Sequence, residues 1–127
     1  MLTHKAKSQQ GGPHKNRIES ETRVQDGEKM EAILRALQFE PSFRYEKFRA
    51  EWKRDNGHVV IDETPIGNFG EIEGPPDWID SIANQLRIHP ADYITETYAG
   101  LFFAWRKRTG CAADEMTYAA IKSSPKC

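Results

Sequence analysis

Residues 43–73 read FRYEKFRAEWKRDNGHVVIDETPIGNFGEIE, and their hydropathy repeats every two residues. Over residues 43–53, Tyr45, Lys47, Arg49 and Glu51 fall on one side of an extended chain, with Phe48, Ala50 and Trp52 on the other. Asp55-Asn56-Gly57 carries the chemistry of a tight turn and leads into a second strand over residues 58–64. Pro65 to Asn68 reads as a short loop, and residues 69–73 as a third strand. Three alternating segments joined by short turns predict an antiparallel sheet with one ionic face and one apolar face.

The flanks supply more strand and three amphipathic helices. Upstream, Leu2 to Lys5 is extended in character, and Ser8, Gly11, Gly12 and Pro13 mark a connection over residues 7–15. Residues 16–24 alternate again, setting Arg17, Glu19, Glu21 and Arg23 against Asn16, Ile18, Ser20, Thr22 and Val24. A helix then starts at Asp26, with Met30, Ile33, Leu34 and Leu37 at i, i+3, i+4, i+7 and Pro41 beyond its end. Downstream, Gly74-Pro75-Pro76-Asp77 closes the sheet region, with Asp77 expected as N-cap and Trp78, Ile79, Ile82, Ala83 and Leu86 as the apolar stripe. A last helix is expected from about Thr95, with Tyr98, Leu101, Phe102 and Trp105 as its stripe. Its basic end, Arg106-Lys107-Arg108, suits a helix C-terminus. The predicted class is α+β, with residues 1–108 as the folded portion and 109–127 as a weakly structured tail.

Composition narrows the function classes. The 127 residues are 38% hydrophobic and 29% charged, an ordinary globular balance. Eighteen Lys and Arg against nineteen Asp and Glu give a formal charge of −1, so bulk charge does not point to nucleic acid. No apolar run approaches the roughly 20 residues that span a bilayer, and the first fifteen residues lack an apolar core of the secretory kind. Cys111 and Cys127 are too few for a disulfide framework and are expected as thiols of a loose tail in a reducing cytoplasm. His4, His14, His58 and His89 share no ligand spacing. Trp52, Trp78 and Trp105 read as packing residues.

The ionic faces recur from strand to strand: Arg17, Glu19, Glu21; then Lys47, Arg49, Glu51; then Asp62; then Glu71, Glu73. A solvated surface is the ordinary reading of such a face. Blocks of cations beside blocks of carboxylates suit something more specific if the sheet curls. Arg and Lys donate to several phosphate oxygens, and carboxylates two residues apart point the same way and can share a hard divalent ion. Mg²⁺ or Mn²⁺ fits all-oxygen ligands and bridges protein carboxylates to substrate phosphates. The bland alternatives are cross-strand pairing of Lys47 and Arg49 with Glu19 or Glu21, and a turn-anchoring role for Asp62 near Pro65.

Five segments in order resemble the CYTH domain, the superfamily of triphosphate tunnel metalloenzymes that includes class IV adenylyl cyclases and thiamine- and inorganic-triphosphatases. They are Leu2-Thr3-His4-Lys5, Arg17-Ile18-Glu19-Ser20-Glu21, Tyr45-Glu46-Lys47-Phe48-Arg49, Ile61-Asp62-Glu63-Thr64 and Gly67-Asn68-Phe69-Gly70-Glu71-Ile72-Glu73-Gly74. The resemblance covers about residues 2–107. It implies an antiparallel tunnel lined by charge with helices outside, and chemistry on a triphosphate-bearing small molecule such as ATP, thiamine triphosphate or inorganic triphosphate. Lys5, Arg17, Lys47 and Arg49 would hold the triphosphate, Asp62, Glu71 and Glu73 the metal, and Glu19 and Glu21 would be further tunnel carboxylates. Family members open with a Glu-x-Glu-x-Lys strand, which is absent here. The expectation is therefore a C-terminal portion of such a domain: a truncated product, a fragment with a mis-called start, or a half completed by a second copy or by another chain, or else a non-catalytic remnant that binds polyphosphate or pairs with another polypeptide.

Overall fold

The computed structural model describes residues 1–7, 14 and 16–127; most of the connection expected over residues 7–15 lies outside the described residues. The chain divides into two units, Met1–Ser42 and Phe43–Cys127. The architecture is α+β, with a two-stranded and a three-stranded antiparallel sheet and four α-helices; no closed barrel forms among the described residues.

In the first unit β1 (Leu2–Lys5) pairs with β2 (Glu19–Thr22), setting Thr3 opposite Glu21 and Lys5 opposite Glu19. The strand expected over residues 16–24 is thus shorter, because β1 offers only four residues to pair with. Helix α1 (Gly27–Ala36) begins as the sequence suggests, with the Asp26 carboxylate accepting the Lys29 amide at 3.0 Å. It ends where Gln38 adopts a left-handed conformation (φ 67°) and the Leu37 and Phe39 amides return to the carbonyls of Ile33 and Leu34.

In the second unit β3 (Phe48–Arg54), β4 (Gly57–Thr64) and β5 (Gly67–Glu73) form a meander. Asp55 and Asn56 make the first turn and Pro65 and Ile66 the second, so β5 starts two residues earlier than the alternation suggests. The second turn is tied by the Thr64 hydroxyl, which donates to the Gly67 carbonyl at 2.7 Å. β3 begins later than expected because residues 44–46 pair elsewhere: Tyr45 forms a parallel bridge with Met116.

The register sets Arg49, Asp62 and Phe69 on one face, with Val60, Glu71 and Thr64, and sets Phe48, Ala50, Trp52, Val59, Ile61 and Ile72 on the other. In β4 the burial is opposite to that of an ordinary half-solvated sheet, while β3 is exposed along its whole length. Val60 and Asp62 are fully buried, while Phe48 is 68%, Trp52 58% and Ile61 40% exposed. Within this unit, two helices meet the apolar face at its ends. Trp78 of α2 (Pro76–Gln85) lies against Gly57 and Gly74, where a Cβ would come within 2.5 and 2.9 Å of the indole. Tyr118 of α4 (Tyr118–Ser123) meets the Phe48 ring at 5.5 Å. Helix α2 is capped at Pro75 and not at Asp77, since Pro76 is already set for the first helical position and leaves Asp77 inside the first turn.

Helix α3 (Tyr98–Thr109) starts at the Thr97 cap and ends at Gly110, which takes the left-handed conformation (φ 75°) that a glycine accepts without strain. Its Phe102 is fully buried with Met116, Cys111 and Ala113, and Phe43, Ile66, Tyr98, Trp105, Ala120 and Ile121 pack around them. This corrects the expected loose tail. Residues 111–117 supply core, α4 follows, and Cys111 and Cys127 are joined in a disulfide. Their irregular apolar spacing conceals this, because a core filled by a loop has no period.

Candidate functional site

The buried face of the three-stranded sheet carries an ionic cluster. Strand pairing places Arg49 directly opposite Asp62, and Val60 opposite Glu71. Arg49 grips Asp62 with two prongs, Nε to Oδ1 and Nη2 to Oδ2, both at 2.7 Å. Its Nη2 also donates to Glu71 Oε2 at 2.8 Å. Lys47 Nζ donates to Asp62 Oδ2 at 2.7 Å and lies 3.8 Å from Glu71 Oε1. This planar fork is the geometry arginine uses for carboxylate or phosphate.

Tyr98, in the first turn of α3, completes the cluster. Its hydroxyl is 2.6 Å from Asp62 Oδ2 and 3.1 Å from Glu71 Oε1, and Lys47 Nζ sits 4.7 Å from its ring centroid. The ring is held by Tyr45 (5.5 Å, stacked) and Phe69 (5.6 Å, edge-on). The sequence displays Tyr98 only as the first residue of an apolar stripe, which conceals its polar end. The signal was available: a stripe-forming Tyr that becomes buried needs a partner for its hydroxyl.

Two cations and two carboxylates make the cluster formally neutral. Burial disfavours the charged form of Asp62, but hydrogen bonds from Arg49, Lys47 and Tyr98 outweigh it and hold the carboxyl below its usual range. Glu71 moves the other way: burial, then the neighbouring Asp62 and Glu73, raise it above the usual 4.5 despite the nearby cations. Burial and the Asp62 carboxylate raise Tyr98, so it stays a donor. Hydrogen bonding to Asp62 raises Arg49, a permanent cation in any case.

The remaining candidates lie around or apart from this cluster. Glu73 points along the same face beside Glu71, and its Oε2 is also 3.0 Å from His58 Nε2, so of the expected trio Asp62, Glu71 and Glu73, Glu71 lies between the other two. Among the described residues no group of three or more His, Cys, Asp or Glu is arranged to hold a metal. Hard oxygen donors are present nonetheless: Asp62 is fully committed as the buried anchor, and Glu71, at the rim, keeps capacity for a further ligand. Lys47 and Arg49 pair with Asp62 and Glu71, and Glu19 and Glu21 have partners in their own unit. Those two belong to the first unit, where Lys5 Nζ and Arg17 Nε both donate to Glu19 Oε1, at 3.0 and 2.9 Å, and Thr3 Oγ1 donates to Glu21 at 2.9 Å.

Comparison with known proteins yields no match, whether to a family model, a curated protein or a solved structure. No helix among the described residues is long and apolar enough to cross a membrane.

Proposed function

We propose that the buried ionic face binds the phosphate chain of a triphosphate-bearing small molecule together with Mg²⁺ or Mn²⁺, in the manner of the CYTH domain it resembles. The observation that carries this reading is the fully buried Asp62, which gathers the half-exposed Lys47 and Arg49 beside Glu71. The chain leaves Phe48 and Trp52 in water while it buries this carboxylate and keeps both cations on it, within reach of solvent.

Lys47 and Arg49 would receive the phosphate oxygens. Asp62 would position both cations from below, since its own oxygens are filled. Glu71 would take the divalent ion, with Glu73 beside it once freed from His58; Mg²⁺ commonly binds through one or two carboxylates plus substrate phosphates. That ion supplies charge neutralisation and polarises phosphate oxygens. The ligand and the ion would help each other, because a cation on Glu71 releases Arg49 for the phosphate. Cyclase and triphosphatase chemistry draw on the same residues.

Calorimetric titration with tripolyphosphate, with and without Mn²⁺, tests this. Binding that strengthens at least tenfold with Mn²⁺ and is lost in Arg49→Ala supports it; equal binding by wild type and Arg49→Ala would sink it. Product analysis with ATP, thiamine triphosphate and tripolyphosphate then separates cyclic nucleotide from orthophosphate. The full mutual neutralisation of the cluster favours a second reading, a non-catalytic ionic seal under α3. Unchanged stability in Asp62→Asn would overturn that alternative.

A further inference from the structure

We infer that the Cys111–Cys127 disulfide is a redox-operated clamp on the strand segment that carries Lys47, and that its state sets the anion affinity of the ionic face. The gating half of this inference rests on the proposed function.

The disulfide closes the loop between Cys111 and Cys127, sixteen residues apart. Inside that loop lie Met116 and Tyr118, which tie the C-terminal segment to residues 44–48 and to β4. The Glu46 amide donates to the Met116 carbonyl at 3.0 Å, and the Met116 amide to the Arg44 carbonyl at 3.1 Å. The Tyr118 amide donates to Glu46 Oε2 at 3.0 Å, the Tyr118 hydroxyl to the Glu63 carbonyl at 3.1 Å, and its ring meets Phe48. Lys47 sits between the residues so held, and Tyr45, bridged to Met116, stacks on Tyr98. Two of the cluster's donors, Lys47 and Tyr98, therefore each adjoin a residue, Glu46 or Tyr45, that is paired with Met116 of the disulfide-closed loop.

Beyond the burial of Met116 and these hydrogen bonds, the cross-link is what holds this segment in place. α4 is six residues long, well short of what stands alone in water. Cys111 is buried at one end of the bridge and Cys127 is exposed at the other. Accessibility directs the chemistry. The thiolate of a dithiol reductant attacks Cys127 Sγ, the S–S bond breaks, and Cys111 leaves as a thiolate and takes up a proton. The reductant's second thiol then attacks the mixed disulfide, releasing Cys127 as a thiol and leaving the reductant as its own disulfide. Two electrons and two protons pass to the protein.

The test is amide hydrogen exchange on the full chain, oxidised and reduced with dithiothreitol, with tripolyphosphate titrated into the same samples. Reduction is expected to speed exchange at the Glu46 and Met116 amides at least tenfold and to weaken tripolyphosphate at least threefold. Cys127→Ser, altered at an exposed position, should match the reduced protein in either buffer. Equal protection of those amides in both states overturns the clamp. Faster exchange with unchanged affinity overturns the gating. Faster exchange with no tripolyphosphate binding in either state upholds the clamp and removes the ligand reading instead.

Discussion

The chain builds two ionic clusters from the same residue types, one Lys and one Arg on shared carboxylate, and gives them different surroundings. In the first unit Lys5 and Arg17 meet on Glu19 at the surface. In the second Lys47 and Arg49 meet on Asp62, which is fully buried, and Tyr98 closes over them. Alternation along the strand is alike in both. What differs is whether a helix and its aromatic residues cover the charged side. Exposed pairs gain little over hydration, whereas a buried charge depends on its partners.

The largest effect expected from that difference is loss of the buried carboxylate. Asp62→Ala leaves two cations and the Tyr98 hydroxyl with Glu71 alone, and should cost about 3 kcal/mol in denaturant unfolding. Glu19→Ala, which also strips a Lys and an Arg of their partner, should cost below about 1 kcal/mol, because water replaces the carboxylate. Equal losses in the two variants would break the contrast.

Next in size is the cross-link, which belongs to the second unit only. Opening the loop between Cys111 and Cys127 by Cys127→Ser should lower stability by about 3 kcal/mol under oxidising conditions, from the added freedom of the unfolded chain. The loss should vanish when both proteins are compared reduced. A smaller effect, about 2 kcal/mol, is expected for Gly57→Ala, whose new methyl would overlap the Trp78 ring. Gly67→Ala meets no neighbour but must hold a positive φ of 132°, so it tests backbone strain separately from the clash.

These positions also show what was legible in the sequence. The three strands, their turns and the Asp26 cap were readable because each has a local cause: a period of two, a turn dipeptide, a side chain matched to free amides. The pairing of Lys47 and Arg49 with Asp62 and Glu71 was half legible. Alternation put all four on one side, but nothing local says which side is enclosed. Tyr98 and the 111–117 core were hidden, because they act through tertiary packing and leave no periodic trace. The apolar face misled in the same way: Phe48, Trp52 and Ile61 looked like residues that helices must cover, and they stand largely open.

The finest expected difference is in pH dependence, where the two buried-face carboxylates shift in opposite directions. Asp62 is lowered, so its stabilisation is complete above the usual 3.8 and is lost as pH falls through its depressed value. Glu71 is raised, so its folded form holds a proton more tightly than the unfolded chain does. The stability it contributes is full below the usual 4.5 and is lost as pH rises through the elevated value. Unfolding free energy should therefore decline slightly just above 4.5 in wild type, and Glu71→Gln should flatten that decline. On the proposed reading the same proton also controls the anion. With metal chelated, a neutral Glu71 would free Arg49, so Glu71→Gln should bind tripolyphosphate more tightly than wild type at pH 7, by a few-fold, and the two should converge on acidification. With Mn²⁺ present the order should reverse, since the variant has lost the carboxylate proposed to take the ion. A variant that binds like wild type in every one of these buffers would show that Glu71 faces neither ligand.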